Sequence, residues 1–317
     1  MSIPGVIGGN PRWNRCTTFC RSLAAFVAMQ VDASPLYARD TMMEVMRLLI
    51  IGSGAIGAAL AKAIDDMPEV DSFYITDKNE ERAMKCVKGF SKAKFISPTD
   101  ESVRAHLKNV NLVVEAASQD AVKHYVPLIL GHGNDVLVMS VGAFADDEFR
   151  EKCFGLAKKK GGRLFVPSGA VCGTDGLHSA SADRIDSVEL HSVKGPKSFK
   201  DVPYLKERGI DVDKLTEKTV IFQGPAREAV VHFPKNVNVS ATIALLGLGM
   251  DRTMVTLICD PTCDCNSHRL IVKGVFGEID AETDNVPFPS NPATSYLAAL
   301  SAIAAIKRIA GNVWIGV

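Results

Sequence analysis

From residue 46 onward the chain alternates short apolar runs with longer segments in which apolar residues recur at helical spacing. The runs lie near residues 48–51, 72–76, 93–96, 111–114, 135–140 and 163–166. Continuous apolar runs of this length suit parallel strands buried on both faces, and the helical segments between them supply the crossovers. The pattern predicts an α/β fold of Rossmann type, a doubly wound parallel sheet, over residues 46–168. After Val166 the chain becomes glycine-rich (PSGAVCGTDG), and residues 185–193 then alternate apolar and polar. We place a domain crossing there and read residues 169–290 as a second α/β domain with a mostly antiparallel sheet.

Within that half, residues 201–215 are charged and irregular, which suits a surface excursion. Two helical patterns follow over 225–233 and 238–246, with Pro225 at the first turn of one and Gly247 past the end of the other. Residues 253–259, 267–275 and 277–281 read as antiparallel strands, and 292–310 as a long helix capped by Asn291. That helix is apolar on most faces, which predicts burial between the domains. Residues 1–45 share none of these patterns. Arg12, Arg15 and Arg21 precede the first acid, Asp32, in a composition that fits an organellar transit peptide. The plainer reading is a true start at Met42, Met43 or Met46, or a disordered tail, so the extension is left out of the fold.

The first apolar run leads directly into GSGAIG. Gly52 makes the tight turn, Gly54 lets a pyrophosphate approach the backbone, and Gly57 lets the next helix sit close to the strand. Ala55 and Ile56 open that helix, whose free amides suit phosphates. Asp77 ends the second run twenty positions after Gly57, where a carboxylate accepts hydrogen bonds from the adenosine ribose. A glycine turn alone need bind nothing, but the strand before it, the helix after it and the acid at this distance make it a dinucleotide site. Asp77 repels a ribose 2′-phosphate and favours NAD, while Lys78 beside it eases NADP in. The fourth run enters EAAS, with Ala117 and Ser118, and the fifth enters Val141, Gly142 and Ala143. Small residues at these strand ends leave room for the nicotinamide ribose and ring, or else serve tight helix packing.

Charge narrows the ligand class. Lys plus Arg and Asp plus Glu both number 36, so no bulk charge points to nucleic acid or an acidic membrane, and a small ligand is expected. No apolar run approaches the roughly 20 residues that span a bilayer. Eight cysteines in 317 residues, several inside predicted elements, read as reduced thiols of an intracellular, cytoplasmic protein.

Several constellations carry chemistry. Cys259, Cys263, Cys265 and His268 are zinc-ligand types, but CxxxCxCxxH is not a usual structural-zinc spacing and hydride transfer needs no metal, so no metal is expected. His268 by itself is suited to proton transfer at a carbon–heteroatom bond. Spacing does not separate that role from a hydrogen-bonded structural one, and His178 and His191 compete with it. Lys194 suits a substrate carboxylate or a solvated strand end. Arg227, Lys235, Asn236 and Asn238 cluster around a helix start, where a small dicarboxylate, or plain water, would fit.

Taken together, IIGSGAIG, VVEAAS, VMSVGA, PSGAVCG, GPAREAVVHFPKNVNVSATIALLG, Asp260-Pro261 ahead of NSHRLIVKGVFG, and NVPFPSNPATSYLAALS form a specific set. Through them residues 47–317 resemble the L-aspartate dehydrogenase family. The resemblance implies NAD(P)-dependent oxidation of L-aspartate to iminosuccinate, which yields oxaloacetate and ammonia or feeds NAD biosynthesis. It implies His268 as the catalytic residue and Ala170 and Asn238 as cofactor contacts, while Lys194, Asn236 and Asn238 stand toward substrate on their residue chemistry. It also implies a homodimer built on the 169–290 domain and a C-terminal helix, 291–311, returning to the first domain. Two positions depart from the family pattern: Cys172 stands where glycine is expected and could crowd the nicotinamide pocket, and Gly195 could loosen the turn that holds Lys194. The rival readings are a related two-domain reductase of another dicarboxylic or semialdehyde substrate, homoserine dehydrogenase-like, and a non-catalytic NAD-binding protein.

Overall fold

In a computed structural model the described residues are 45–234, 238–288 and 291–316. The extension therefore lies outside the described residues, apart from Val45, as do Lys235 and Asn236. The first half contributes β1 (Met46–Ile51), β2 (Val70–Thr76), β3 (Ala93–Phe95), β4 (Leu112–Glu115), β5 (Asp135–Val138) and β6 (Leu164–Phe165). The crossovers are α1 (Ala55–Asp65), α2 (Glu80–Val87), α3 (Asp100–Leu107), α4 (Gln119–Gly131) and α5 (Asp147–Lys160). All six strands are parallel, in the order β3-β2-β1-β4-β5-β6.

The two-residue side-chain period of β1 explains why both faces must be covered. Leu48 and Ile50 enter the core beneath α1, while Leu49 and Ile51 enter the core on the opposite face. Side chains of Asn79, Thr99, Ser118 and Asp146 each accept a backbone N–H three residues on, fixing where α2 to α5 begin. Strand order reverses between β1 and β4, and in sheets of this kind ligands bind outside the strand carboxyl ends at that point.

The second half adds α6 (Thr174–Ala180), β7 (Ile185–Lys194), α7 (Pro203–Glu207), β8 (Thr219–Pro225), α8 (Ala226–His232), α9 (Asn238–Leu246), β9 (Thr253–Cys259), β10 (Asn266–Gly274) and β11 (Gly277–Asn285). These strands form one sheet in the order β11-β10-β7-β9-β8. Val188, Leu190, Leu270 and Val272 bury one face against Leu177 and Ala180 of α6 and Ile243 of α9.

Three expectations require correction. Thr253–Cys259 is antiparallel only to β8 and runs parallel to β7, because the long excursion between β7 and β9 brings the chain back in its original direction. The strand β8 was unforeseen. Its apolar residues precede Gly224 and Pro225, which read as a helix start, but as the edge strand it tolerates a terminal proline that also begins α8. The last helix, α10, is Tyr296–Ala310; residues ahead of it form β13 (Asn291–Ser295) against β12 (Pro287–Phe288). Ser295, not Asn291, stands at its N-cap. Helix α10 packs on α1, with Ala302 and Ile306 in the core beneath α1, but Tyr296 and Leu300 are exposed, so it is not enclosed on most faces.

Candidate active site

The turn after β1 is closed by steric necessity. Gly52 has φ 106°, and a Cβ there would stand 2.6 Å from the carbonyl oxygen of Ala116. A Cβ on Gly57 would overlap the carbonyl oxygen of Gly52, so α1 can lie against the turn only if this residue is glycine. Around Gly54 the situation is the reverse, since a Cβ would meet nothing within 4 Å. No side chain caps α1 at Gly54. Its first amides therefore receive no side-chain cap, and with the free space beside Gly54 this fits a dinucleotide pyrophosphate.

Asp77 follows β2 and is 4% exposed, yet its carboxylate is fully engaged. Oδ2 accepts from the Ser53 amide at 2.7 Å and the Ser53 hydroxyl at 2.9 Å, and Oδ1 from the Asn79 amide at 2.9 Å. The Arg82 guanidinium reaches both oxygens, at 2.8 and 2.7 Å, and the Arg82 side chain is 51% exposed. Burial works against the Asp77 charge, but these hydrogen bonds outweigh it and hold the carboxyl below the usual range. The sequence reading missed Arg82. Its signal was present, since a residue in the first turn of α2 stands beside the end of β2.

At the end of β4, Glu115 is fully buried and links the loops after two strands. It accepts from the amides of Ala117 (2.8 Å), Ser118 (2.9 Å) and Ser140 (3.0 Å) and from the Ser140 hydroxyl (2.9 Å). Burial pushes its carboxyl upward in net, despite these donors. Ala117 and Ser118 stand exposed just past the carboxyl end of β4, and the Ser118 hydroxyl also caps α4.

Between the two sheets lies a cavity of about 100 Å³ lined by Ile56, Val138, Met139, Val141, Ala170, Lys194, Asn238, Thr242, Ser295 and His268, among others. The structure thus brings together four residues singled out from sequence in the second half, namely Ala170, Lys194, Asn238 and His268. His268 is 2% exposed on β10, and its Nδ1 lies 2.8 Å from Oγ of Ser192 on β7. Burial, and then the charge of Lys194, push its pKa down to about 3, so the ring is neutral at neutral pH. Lys194 is 5% exposed, and burial lowers its pKa to about 8. Asn238 begins α9, and its Oδ1 accepts from the Gly142 amide at 3.2 Å, joining the cavity to the loop after β5.

Other candidates fall elsewhere. Arg227 is held by Asp251 and Asp147 and donates to the Ala145 carbonyl, so it clamps α8 to the loop before α5 and does not line the cavity. His191 pairs in register with Arg269, one position from Ser192 and hence on the other face of the sheet, beside Glu189. His178 lines a separate groove with Asp175 and Trp314. Cys259 is buried in the core on β9, whereas the sulfurs of Cys263 and Cys265 lie 3.1 Å apart in the loop before β10. Among the described residues no group of three His, Cys, Asp or Glu could hold a metal ion.

The two departures from the family pattern also resolve. Cys172 is exposed, bonded through its amide to Thr283 and through sulfur to the Glu282 carbonyl, and it does not line the cavity. Gly195 has φ −70°, an ordinary conformation, and a Cβ there would stand 2.9 Å from the Cys263 carbonyl oxygen. It permits close packing of the 260–265 loop rather than loosening the strand. No helix of the described residues is long and apolar enough to cross a membrane.

Comparison with known proteins places these features in context. Residues 175–309 match the family model described as aspartate dehydrogenase, C-terminal, and residues 52–167 match that described as homoserine dehydrogenase, NAD binding domain. The L-aspartate dehydrogenase of Methanosarcina acetivorans is 45% identical over 272 residues, covering 86% of this chain and 99% of the relative. That of Acinetobacter baumannii is 37% identical over 262 residues, covering 83% and 97%. The crystal structure of aspartate dehydrogenase from Thermotoga maritima superposes with a TM-score of 0.66 at 30% identity, covering 86% of this chain and 99% of that one. A hyperthermophilic archaeal homoserine dehydrogenase in complex with NADPH shares the fold alone, with a TM-score of 0.51 at 14% identity over 83% of this chain and 97% of that one.

Proposed function

Because this chain belongs to the L-aspartate dehydrogenase family, we propose that it oxidises L-aspartate with NAD(P) to iminosuccinate, which hydrolyses to oxaloacetate and ammonia. The observation that carries this reading is the pairing of Lys194 with His268 in one small cavity beside the dinucleotide turn. Bound NAD(P) supplies the hydride acceptor, the nicotinamide C4. The GSGAIG turn and the α1 amides hold the pyrophosphate, Asp77 faces the ribose, and Ala117, Ser118, Ala170 and Asn238 border the nicotinamide end. Lys194 offers an ammonium to a substrate carboxylate, with Asn238 beside it and Asn236 two residues away in sequence. Neutral His268 accepts a proton from the substrate ammonium as hydride leaves Cα, leaving the iminium; once that proton has passed to solvent, the neutral ring holds water against the imine carbon and the nitrogen departs as ammonium.

In the same reading residues 46–168 with the helix at 291–311 bind cofactor, and residues 169–290 bind substrate and form a homodimer. The enzyme works in the cytoplasm on a free amino acid, touches neither nucleic acid nor membrane, and supplies NAD biosynthesis. A screen of amino acids with NAD and NADP, followed by absorbance of the reduced cofactor, tests the assignment. Turnover with aspartate is expected. Turnover confined to a hydroxy acid or semialdehyde would replace it with a homoserine dehydrogenase-like reaction.

The pH profile follows from the shifted groups. Lys194 must be protonated to hold a carboxylate, so kcat/KM for aspartate should fall as pH rises through about 8. His268 should add no acid limb near pH 6.5, because its proton affinity lies far below that. The same shift costs stability under acid: the unfolded chain binds a proton on this histidine below about 6.5 while the native chain does not, so stability falls with pH from there toward about 3. An acid limb near pH 6.5 that vanished in His268→Gln would contradict this electrostatic account.

NAD should give the higher kcat/KM, since the ribose diol can replace Arg82 as a donor to Asp77 while a 2′-phosphate there would meet that carboxylate's charge. Arg82 moderates that preference by neutralising Asp77 and presenting a half-exposed cation where a 2′-phosphate would sit. Arg82→Ala should lower kcat/KM with NADP by roughly ten- to a hundredfold, the worth of a hydrogen bond to a charged group, and change NAD far less. Equal losses with both cofactors would mean that Arg82 only braces the turn.

A further inference from the structure

We propose that Ser192 is a positioning residue that holds His268 in the tautomer with the proton on Nδ1, leaving Nε2 bare toward the cavity. The inference rests on the reading of His268 as proton acceptor. Ser192 and His268 are directly opposed in the antiparallel register of β7 and β10, and each is 2% exposed. The Oγ to Nδ1 distance of 2.8 Å is a full hydrogen bond between groups shielded from solvent. A neutral imidazole carries one N–H, and a serine hydroxyl both donates and accepts, so this contact alone permits two states. If Ser192 donates, Nδ1 is the acceptor and the proton sits on Nε2, where it blocks proton abstraction. If Ser192 accepts from Nδ1–H, the Nε2 lone pair is free.

The charge of Lys194 selects between the two. Ser192 and Lys194 are two residues apart on β7 and therefore share one face of the sheet, and Lys194 and His268 line the same cavity. A cation at the cavity side opposes an N–H aimed into that space and favours a lone pair there. Strand β7 thus supplies both the acceptor for the Nδ1 proton and the charge that keeps it off Nε2. The ring is presented to the amine of the substrate as a base with no tautomer exchange needed beforehand.

The full chain, labelled with 15N-histidine and free of substrate, tests this by long-range 1H–15N correlation spectra, with His268 assigned from the signal lost in His268→Gln. The expected pattern for the parent is a protonated Nδ1 and a bare Nε2. Ser192→Ala should populate the opposite tautomer and lower kcat with aspartate about ten- to a hundredfold, within the reach of acid–base catalysis, with KM for NAD unchanged. Ser192→Thr, which keeps the hydroxyl, should restore both the spectrum and the rate. A proton on Nε2 in the parent overturns the proposal with no variant needed, and so does a Ser192→Ala chain with parental tautomer and rate. Since the spectrum is read without substrate, a failed aspartate assignment shows separately, as a parent chain with the expected tautomer and no aspartate turnover.

Discussion

Replacing His268 with alanine should lower turnover with L-aspartate by about 10² to 10⁴, the usual contribution of a positioned acid–base group. The loss should fall on kcat, because the proton is transferred in the step that His268 assists while Lys194 still holds the carboxylate. NAD should bind with near-parental affinity, since the GSGAIG turn and Asp77 lie on the other sheet. The native fold should survive, as the side chain removed faces a cavity and is hydrogen-bonded to Ser192, whose hydroxyl can rotate to another partner. Parental turnover in His268→Ala would make the histidine structural. His191 is poorly placed to replace it, on the opposite face of the same sheet.

The second large effect should come from Gly57→Ala, through geometry rather than chemistry. The added methyl would overlap the Gly52 carbonyl oxygen, which is backbone and cannot rotate away. Helix α1 must therefore lift from the turn and take its free amides with it. Overpacking of this kind costs about 1–3 kcal/mol, so a lower midpoint in urea and at least a tenfold weaker NAD affinity are expected, the latter by titration calorimetry. Gly54→Ala separates the two consequences. Its methyl meets nothing in the chain, so stability should hold, while NAD affinity should fall because the methyl enters the space where the pyrophosphate would lie. Undiminished NAD binding by Gly54→Ala would mean that the dinucleotide does not cross this turn.

These two glycines show how much of the first sheet could be read along the chain. The spacing of Gly52, Gly54 and Gly57, the apolar runs and the acid after the second run are short-range features. Each is dictated by local periodicity or by the space a backbone turn leaves, and all six strands of the first sheet appear where those features put them. In the second half the same rules located β7, β9, β10 and α9. They did not give the direction of β9, which depends on how the chain returns after β7, nor β13, whose Asn291–Ser295 pairs with Pro287–Phe288 in place of beginning the last helix.

By itself, then, the sequence determined the dinucleotide turn and supplied His268, Lys194, Asn238 and Ala170 as separate candidates. Only the tertiary structure decided that these four line one cavity, that Arg227 does not, and that Asp77 is already shared with Arg82. The physical reason is the range of the forces involved. Turn geometry and apolar periodicity act over a few residues, whereas the burial that lowers the proton affinities of Lys194 and His268 exists only once the two sheets close over them. The contact between Ser192 and His268 joins residues 76 positions apart and depends on a strand register that no local spacing encodes.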